Sequence, residues 1–268
     1  MGALTFTLKE EPPQRCDLSA LVPERIREFD SVERIEIQTT KRKLHVGDVF
    51  QVKPGEAKEI RFEGGSERFD GTARMMGAGR IIVTGSLGQM AGRGMQGGAF
   101  FVSGSVGRLA GSGMTGGRIE IGGDAGDLAG GPLPGEMAGM RGGILHIRGK
   151  AGARAGDRMR RGLLVIEGDA GEYPASRMIG GTIVCFGEAG ALPGYLMRRG
   201  TVILARGAKE FSPTFIDTGA HELVAMRLIA RWLIDEGIEG GSLLVSTLRR
   251  LAGDTAVLGK GEIFVPCT

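Results

Sequence analysis

The 268-residue sequence predicts an all-β solenoid, a right-handed parallel β-helix of about seven 19-residue coils with a small N-terminal β cap and a C-terminal helix. Two observations predict it. A methionine returns at Met76, Met95, Met114, Met140, Met159, Met178 and Met197, with five of the six intervals 19 residues long and the third 26. Each methionine is followed three residues later by glycine, from Gly79 to Gly200. The second observation is an apolar, mixed, apolar triplet on the same period, the two-residue alternation of a strand with one buried face.

Residues 1–55 suit the N-terminal cap. They hold short alternating runs (Leu4, Phe6, Leu8; Ile35, Ile37), the pair Pro12-Pro13 and a turn at Gly47-Asp48. An atypical end of this kind hides the open core of a solenoid and blocks further stacking. The Gly-rich β-helix follows over 56–208, and Ile60, Phe62, Gly64, Phe69 and Gly71 make a degenerate first coil. With each methionine as position zero, position five is Ile81, Phe100, Ile119, Leu145, Leu164, Ile183 and Val202. Position seven is Val83, Val102, Ile121, Ile147, Ile166, Cys185 and Leu204; position six is mixed and includes Glu120 and His146. Glycine closes the strand at position nine in every coil but the last, where Arg206 stands, and small or apolar residues from Leu87 to Ala189 stand at position eleven. A helix is excluded, because glycine costs about 1 kcal/mol per helical position relative to alanine. At bends it permits positive φ and close backbone approach. Strands of successive coils then pair in parallel, about 4.8 Å apart.

The long interval contains an insertion, 131–139, with Pro132 and Pro134; a partner contact and a tolerated loop account for it equally well. Residues 209–268 form the closing segment. Within 221–236, Leu223, Val224, Met226, Leu228, Ile229, Trp232 and Leu233 recur at helical spacing, and Gly237 is the helix stop. Part of that apolar face is expected to cover the last coil and the remainder to receive a partner.

Composition narrows the class. Charged residues are 24% and mean hydropathy is zero, and no stretch approaches the roughly 20 apolar residues of a membrane span. Residues 1–13 lack the basic start and apolar run of a secretory signal. The three cysteines, Cys16, Cys185 and Cys267, are too few and too widely spaced for a disulfide framework, which points to the cytoplasm. Neither a membrane nor nucleic acid is expected as a partner: the net charge is only +3, and one Trp and two Tyr offer little for stacking on bases.

Catalytic constellations are missing. His45, His146 and His221 have no metal-ligand spacing, and no nucleophile elbow or phosphate loop occurs. The expectation is that this chain supplies no catalytic residue, metal ligand or cofactor site. The methionine column reads as core packing by flexible thioethers rather than a soft-metal array. Cys185 falls in an inward column as inert packing, and His146 in the outward column as a solvated or partner-facing side chain. One feature resists this reading. Positions eighteen, one and two flank the methionine and in later coils hold Arg141, Arg158, Arg160, Arg161, Arg177, Arg198 and Arg199. Stacking gathers them on one ridge. It is either a solvated basic edge or a landing surface for an acidic partner or polyanionic ligand.

The tandem segments MQGGAFFVSGSVGRLAG (95–111), MTGGRIEIGGDAGDLAG (114–130) and MRGGILHIRGKAGARAG (140–156) resemble the C subunit of formylmethanofuran dehydrogenase. The same repeat also resembles the C-terminal domain of the glutamate synthase large subunit. The tail, SPTFIDTG (212–219) and then GDTAVLGKGEIFV (253–265), is similar to the way chains of the former family end. The resemblance implies a β-helical subunit of a multi-subunit one-carbon enzyme, with amidohydrolase-like, dehydrogenase-like and formyltransferase subunits as partners. In the bacterial formyltransferase/hydrolase form, formyl passes from tetrahydromethanopterin to a methanofuran-type carrier and leaves as formate. In the archaeal form, a molybdenum or tungsten pterin and iron-sulfur clusters perform redox chemistry. Carrier and metal ions belong to partner subunits in both. The resemblance carries no catalytic residue onto this sequence. It makes the arginine ridge a candidate contact for the carrier's glutamate-rich tail or an acidic neighbouring subunit. Arginine greatly outnumbers lysine, which favours a GC-rich bacterium and the hydrolytic form. The redox form and a stand-alone structural β-helix stay open. A hexapeptide-repeat acyltransferase would show six-residue periodicity, and a polysaccharide-cleaving β-helix more aromatics than 5%.

Overall fold

The methionine-glycine period has a direct packing cause in the computed structural model, which describes residues 2–238, 240–241, 244, 246–257 and 259–267. All seven methionines of the column are fully buried. Each lays its terminal methyl over the position-three glycine of the following repeat. A Cβ on Gly98 would lie 2.5 Å from Met76 Cε, on Gly143 2.7 Å from Met114 Cε and on Gly200 2.9 Å from Met178 Cε. These glycines also have positive φ, from 76° at Gly98 to 112° at Gly200. Glycine costs roughly 0.5–1 kcal/mol of extra backbone entropy. Any other residue would incur about 1–2 kcal/mol for the left-handed backbone and about 1–3 kcal/mol for overpacking. Glycine therefore wins at this position in every repeat.

In chain order the strands are β1 (Ala3–Leu8), β2 (Cys16–Asp17), β3 (Glu36–Thr39), β4 (Leu44–His45), β5 (Phe50–Lys53), β6 (Glu56–Glu63) and β7 (Phe69–Asp70). The repeats supply β8 (Arg80–Thr84), β9 (Ala99–Val102), β10 (Arg118–Ile121), β11 (Arg141–Ile147), β12 (Arg161–Ile166), β13 (Thr182–Cys185) and β14 (Arg199–Leu204). Then come β15 (Ile216–His221), β16 (Leu248–Ala252) and β17 (Lys260–Pro266). The helices are α1 (Pro23–Ile26), α2 (Val46–Val49) and α3 (Val224–Asp235). Among the described residues the main sheet has 13 strands, in the order β15-β16-β17-β14-β13-β12-β11-β10-β9-β8-β6-β1-β5. From β6 to β14 every neighbouring pair is parallel, with like repeat positions opposite one another: Ile81 beside Phe100, Ile119 beside Leu145, Ile183 beside Val202. A second parallel ladder of single bridges joins position eleven, from Leu87 through Val106 to Ala208. The fold is thus mostly one large parallel sheet with few helices, compatible with a β-helix. The degenerate first repeat is present: β6 places Ile60 beside Ile81 and Phe62 beside Val83.

Both ends continue the same packing by other means. At the N-terminal end Pro23 takes the methionine's place beside Gly79, its Cγ 2.9 Å from where a Cβ would stand. Phe6, Phe50, Phe62 and Phe69 fill the open core there, with Phe6 stacked on Phe62 at 4.9 Å. At the other end β17 adds to β14, and Gly261 lies opposite Gly200 and under Met197. The tail motif is thereby the last receiver of the methionine ladder. Leu258 within it, and Met1 and Thr268 at the termini, lie outside the described residues.

Two expectations need correction. Gly47 and Asp48 form the middle of the single-turn helix α2, where Asp48 Oδ2 accepts from the His45 amide at 2.8 Å, rather than a turn. Part of the apolar face of α3 does cover the last coil, at Ile203, and it does so from the outer face of the sheet. Met226, Ala230 and Leu233 pack on the outer face of the sheet against Val165, Val184, Ile203 and Phe264, in a second core. Position six is therefore buried in the later repeats, whose strands are apolar on both faces. His146 is not solvated either: it stands in register with Val165 and is 2% exposed, with Nε2 2.6 Å from Glu167 Oε1. Gly237, with φ 75°, follows the helix as expected.

Candidate functional site

The arginines flanking the methionines divide into two environments that the repeat numbering alone does not separate. Position eighteen has a left-handed backbone in most repeats. Gly94 and Gly113 occupy it early, whereas Arg158 (φ 50°) and Arg177 (φ 53°) occupy it later. An L-residue there costs roughly 1–2 kcal/mol. Inter-repeat hydrogen bonds hold the conformation: the amide of Arg158 donates to Ser176 O at 2.9 Å and that of Arg177 to Tyr195 O at 2.6 Å. In the last repeat the Leu196 amide has no following repeat to meet, and buried Asp254 of the tail accepts it at 2.7 Å.

Arg158, Arg177 and Arg198 converge on a cleft of about 220 Å³ whose other walls are Met137, Ile179, Leu196 and Val257. Three parts of the chain build it: the insertion, the corners of adjacent repeats and the tail. Their charges are not equivalent. Arg177 is committed to Asp157, which is 1% exposed and accepts from Nε at 3.0 Å and Nη2 at 2.6 Å, with Ser176 Oγ adding a third bond at 2.6 Å. Arg158 Nη1 donates to Glu136 O at 2.9 Å, and Glu136 itself pairs with Arg93 at 2.6 Å. The insertion is thus fastened across repeats, with Met137 held 80% exposed at the rim. Arg198 is exposed and has no side-chain partner among the described residues.

The remaining ridge arginines lie outside this cleft. Arg141 and Arg161 sit opposite each other at the starts of β11 and β12, and Arg199 stands beside Lys260. Arg141, Arg160, Arg161 and Arg199 are exposed. Met137, Leu196 and Val257 escape sequence reasoning because they come from separated segments. The change from glycine to arginine at position eighteen is the signal that was visible.

Elsewhere the chemistry is quiet. Burial pushes the Cys185 thiol up to about 12. All three cysteines are free, and Cys16 is buried while Cys267 is exposed. Among the described residues no group of three His, Cys, Asp or Glu side chains is placed to hold a metal ion. No helix is long and apolar enough to cross a membrane among those residues. His146 Nδ1 is buried without a hydrogen-bond partner among the described residues.

Comparisons with known proteins agree on one relationship. No protein-family model matches the chain. Over 54 residues it is 56% identical to the C subunit of the formyltransferase/hydrolase complex Fhc of Methylorubrum extorquens; that segment is 20% of this chain and 20% of the curated relative. The matched segment therefore spans about a fifth of that relative's length. Over its whole length the chain is also similar to a chain in the crystal structure of the formyltransferase/hydrolase complex FhcABCD from Methylorubrum extorquens in complex with methylofuran. The identity is 44% and the TM-score 0.92, covering 98% of this chain and 100% of that one.

Proposed function

This chain belongs to the C-subunit family of the formyltransferase/hydrolase complex, and we propose that it is the non-catalytic β-helical subunit of such a complex. The assembled enzyme would move formyl from tetrahydromethanopterin to a methanofuran-type carrier and release formate, in the cytoplasm. Amidohydrolase-like, dehydrogenase-like and formyltransferase subunits would be its partners and would hold the carrier and metal ions. The observation that carries this reading is the whole-length likeness, at 44% identity, to a chain of a multi-subunit formyltransferase/hydrolase complex. The core supports a scaffold role: its columns are methionines, glycines and aliphatic residues, and Cys185 keeps its proton. The purified chain alone should neither transfer formyl nor release formate, and adding it to the other subunits should restore both. Formate release by the isolated chain would overturn the non-catalytic assignment.

The stack itself we read as right-handed, because a parallel crossover within one sheet is right-handed in about 98% of cases. Its coils open at the seven methionines, within 56–208, between a cap of residues 1–55 and a closing segment of 209–268. Arg141, Arg158, Arg160, Arg161, Arg177, Arg198 and Arg199 form its contact for the carrier's polyglutamate tail or for an acidic neighbouring subunit. Exposed charges of one sign attract a polyanion over about 10 Å at 0.1 M salt and less at higher salt. Replacing Arg160, Arg161, Arg198 and Arg199 by Gln should therefore weaken carrier retention or assembly, with the larger loss at low salt. Unchanged assembly and carrier affinity at low salt would retire the contact.

A further inference from the structure

The cleft between insertion, arginine corner and tail differs from the open ridge in being walled, and we propose that it is a discrete carboxylate site that seats one glutamate-type side chain of a flexible polycarboxylate. The proposal rests on the reading of the arginine corner given above and locates where a polyanion is gripped rather than only attracted.

Charge is the first argument. Of the three arginines, only Arg177 is cancelled, by buried Asp157, which also fixes its guanidinium in place. Arg158 spends one N–H on the Glu136 carbonyl and keeps the rest, and Arg198 keeps all of its own. The other nearby carboxylates are engaged elsewhere: Glu136 with Arg93 and the Leu133 amide, Asp254 with the amides of Leu196 and Ala256. The cleft therefore carries uncancelled positive charge. Two forked donors on one corner match the planar geometry of a carboxylate.

Size and walls are the second argument. About 220 Å³ suits a carboxylate on a short methylene arm, below the roughly 300–1,000 Å³ of pockets for larger ligands. Met137, Ile179, Leu196 and Val257 offer apolar contact to such an arm, which a bare inorganic anion would not use. They also lower the local dielectric, which strengthens charge-assisted hydrogen bonds. Outside the cleft, exposed Arg141, Arg161 and Arg199 steer the rest of the chain.

Titration calorimetry of the full-length chain with tetra-L-glutamate, with tetra-L-glutamine as control, tests this. The expected result is one equivalent bound, for the glutamate peptide only. Arg198→Gln and Arg158→Gly should each weaken binding about tenfold, the loss of one charge-assisted contact. The Gly variant restores the residue type found at Gly94 and Gly113. Its melting temperature should thus stay within about 3 °C of the parent, while Arg198→Gln leaves the insertion fastened. The triple variant Arg141→Gln, Arg161→Gln, Arg199→Gln should keep the single equivalent and lose less affinity than either cleft variant. If both cleft variants bind like the parent and the triple variant loses binding, the cleft assignment falls and the ridge reading survives. If the parent binds no tetraglutamate at low salt, both fall.

Discussion

Gly181 concentrates what the repeat demands of a single residue. Its φ is 98°, and a Cβ there would come 3.0 Å from Met159 Cε and 3.1 Å from Gly162 O. Gly181→Ala should cost about 2–5 kcal/mol, the sum of left-handed strain and overpacking. Met159→Ala should cost a similar amount by leaving a cavity. In the double variant the thioether methyl that the added Cβ would strike is gone. Urea denaturation should therefore place the double variant at least about 1 kcal/mol more stable than additivity allows. Strict additivity would show that methionine and glycine do not touch. Cys185 gives a second test at this scale. Its thiol, pushed up to about 12 by burial, should resist a thiol reagent at pH 8 in the native chain, where only exposed Cys267 reacts. An unfolded thiol ionises near its ordinary value of 9.0. The unfolded state then loses a proton that the folded state retains, so this group's contribution to stability is intact below about pH 9 and falls towards pH 12. Rapid native labelling of Cys185 would contradict its placement.

At the scale of elements, α3 separates what sequence periodicity reveals from what it leaves open. Its spacing identifies a helix, but not which surface the helix covers. Met226, Ala230 and Leu233 make one stripe on the sheet, whereas Val224 and Leu228 are 72% and 64% exposed on the other side. A clue lay in the sheet itself: Val165, Val184 and Ile203 make the outer column apolar in three successive repeats. A strand apolar on both faces needs a cover on both. His146 obscured the clue, because a lone polar residue at the edge of the column suggests solvent. Leu233→Ala should cost about 2–4 kcal/mol by denaturant unfolding, and Leu228→Ala no more than about 0.5 kcal/mol. Equal effects would mean that the helix does not dock through this stripe. The insertion teaches the same lesson. Its length was legible, but its fastening by Glu136 to Arg93 and Arg158 joins residues 43 and 22 positions apart, which no local pattern announces.

For the whole molecule, legibility follows from repetition. Each repeat meets the same neighbours, so its columns of methionine, glycine and aliphatic residues appear in the sequence as a period. The ends break the period and need a structure to be understood: Pro23 stands in for a methionine, Gly261 for the next glycine, and Asp254 for the next carbonyl. The arginines were legible as a set, but their division into a walled cleft and an open column depends on the insertion and the tail. Under the proposed function, the packed aliphatic interior and the charge gathered on one corner are the marks of a subunit held by neighbours. The most direct test of that claim is affinity purification of the native chain, at its natural abundance, followed by native mass spectrometry and metal analysis. The account predicts elution with formyltransferase and amidohydrolase-like subunits, formate-releasing activity, and neither molybdenum nor tungsten. Elution of the chain alone would contradict its assignment to a complex, and a molybdenum or tungsten pterin in the eluate would contradict the hydrolytic form.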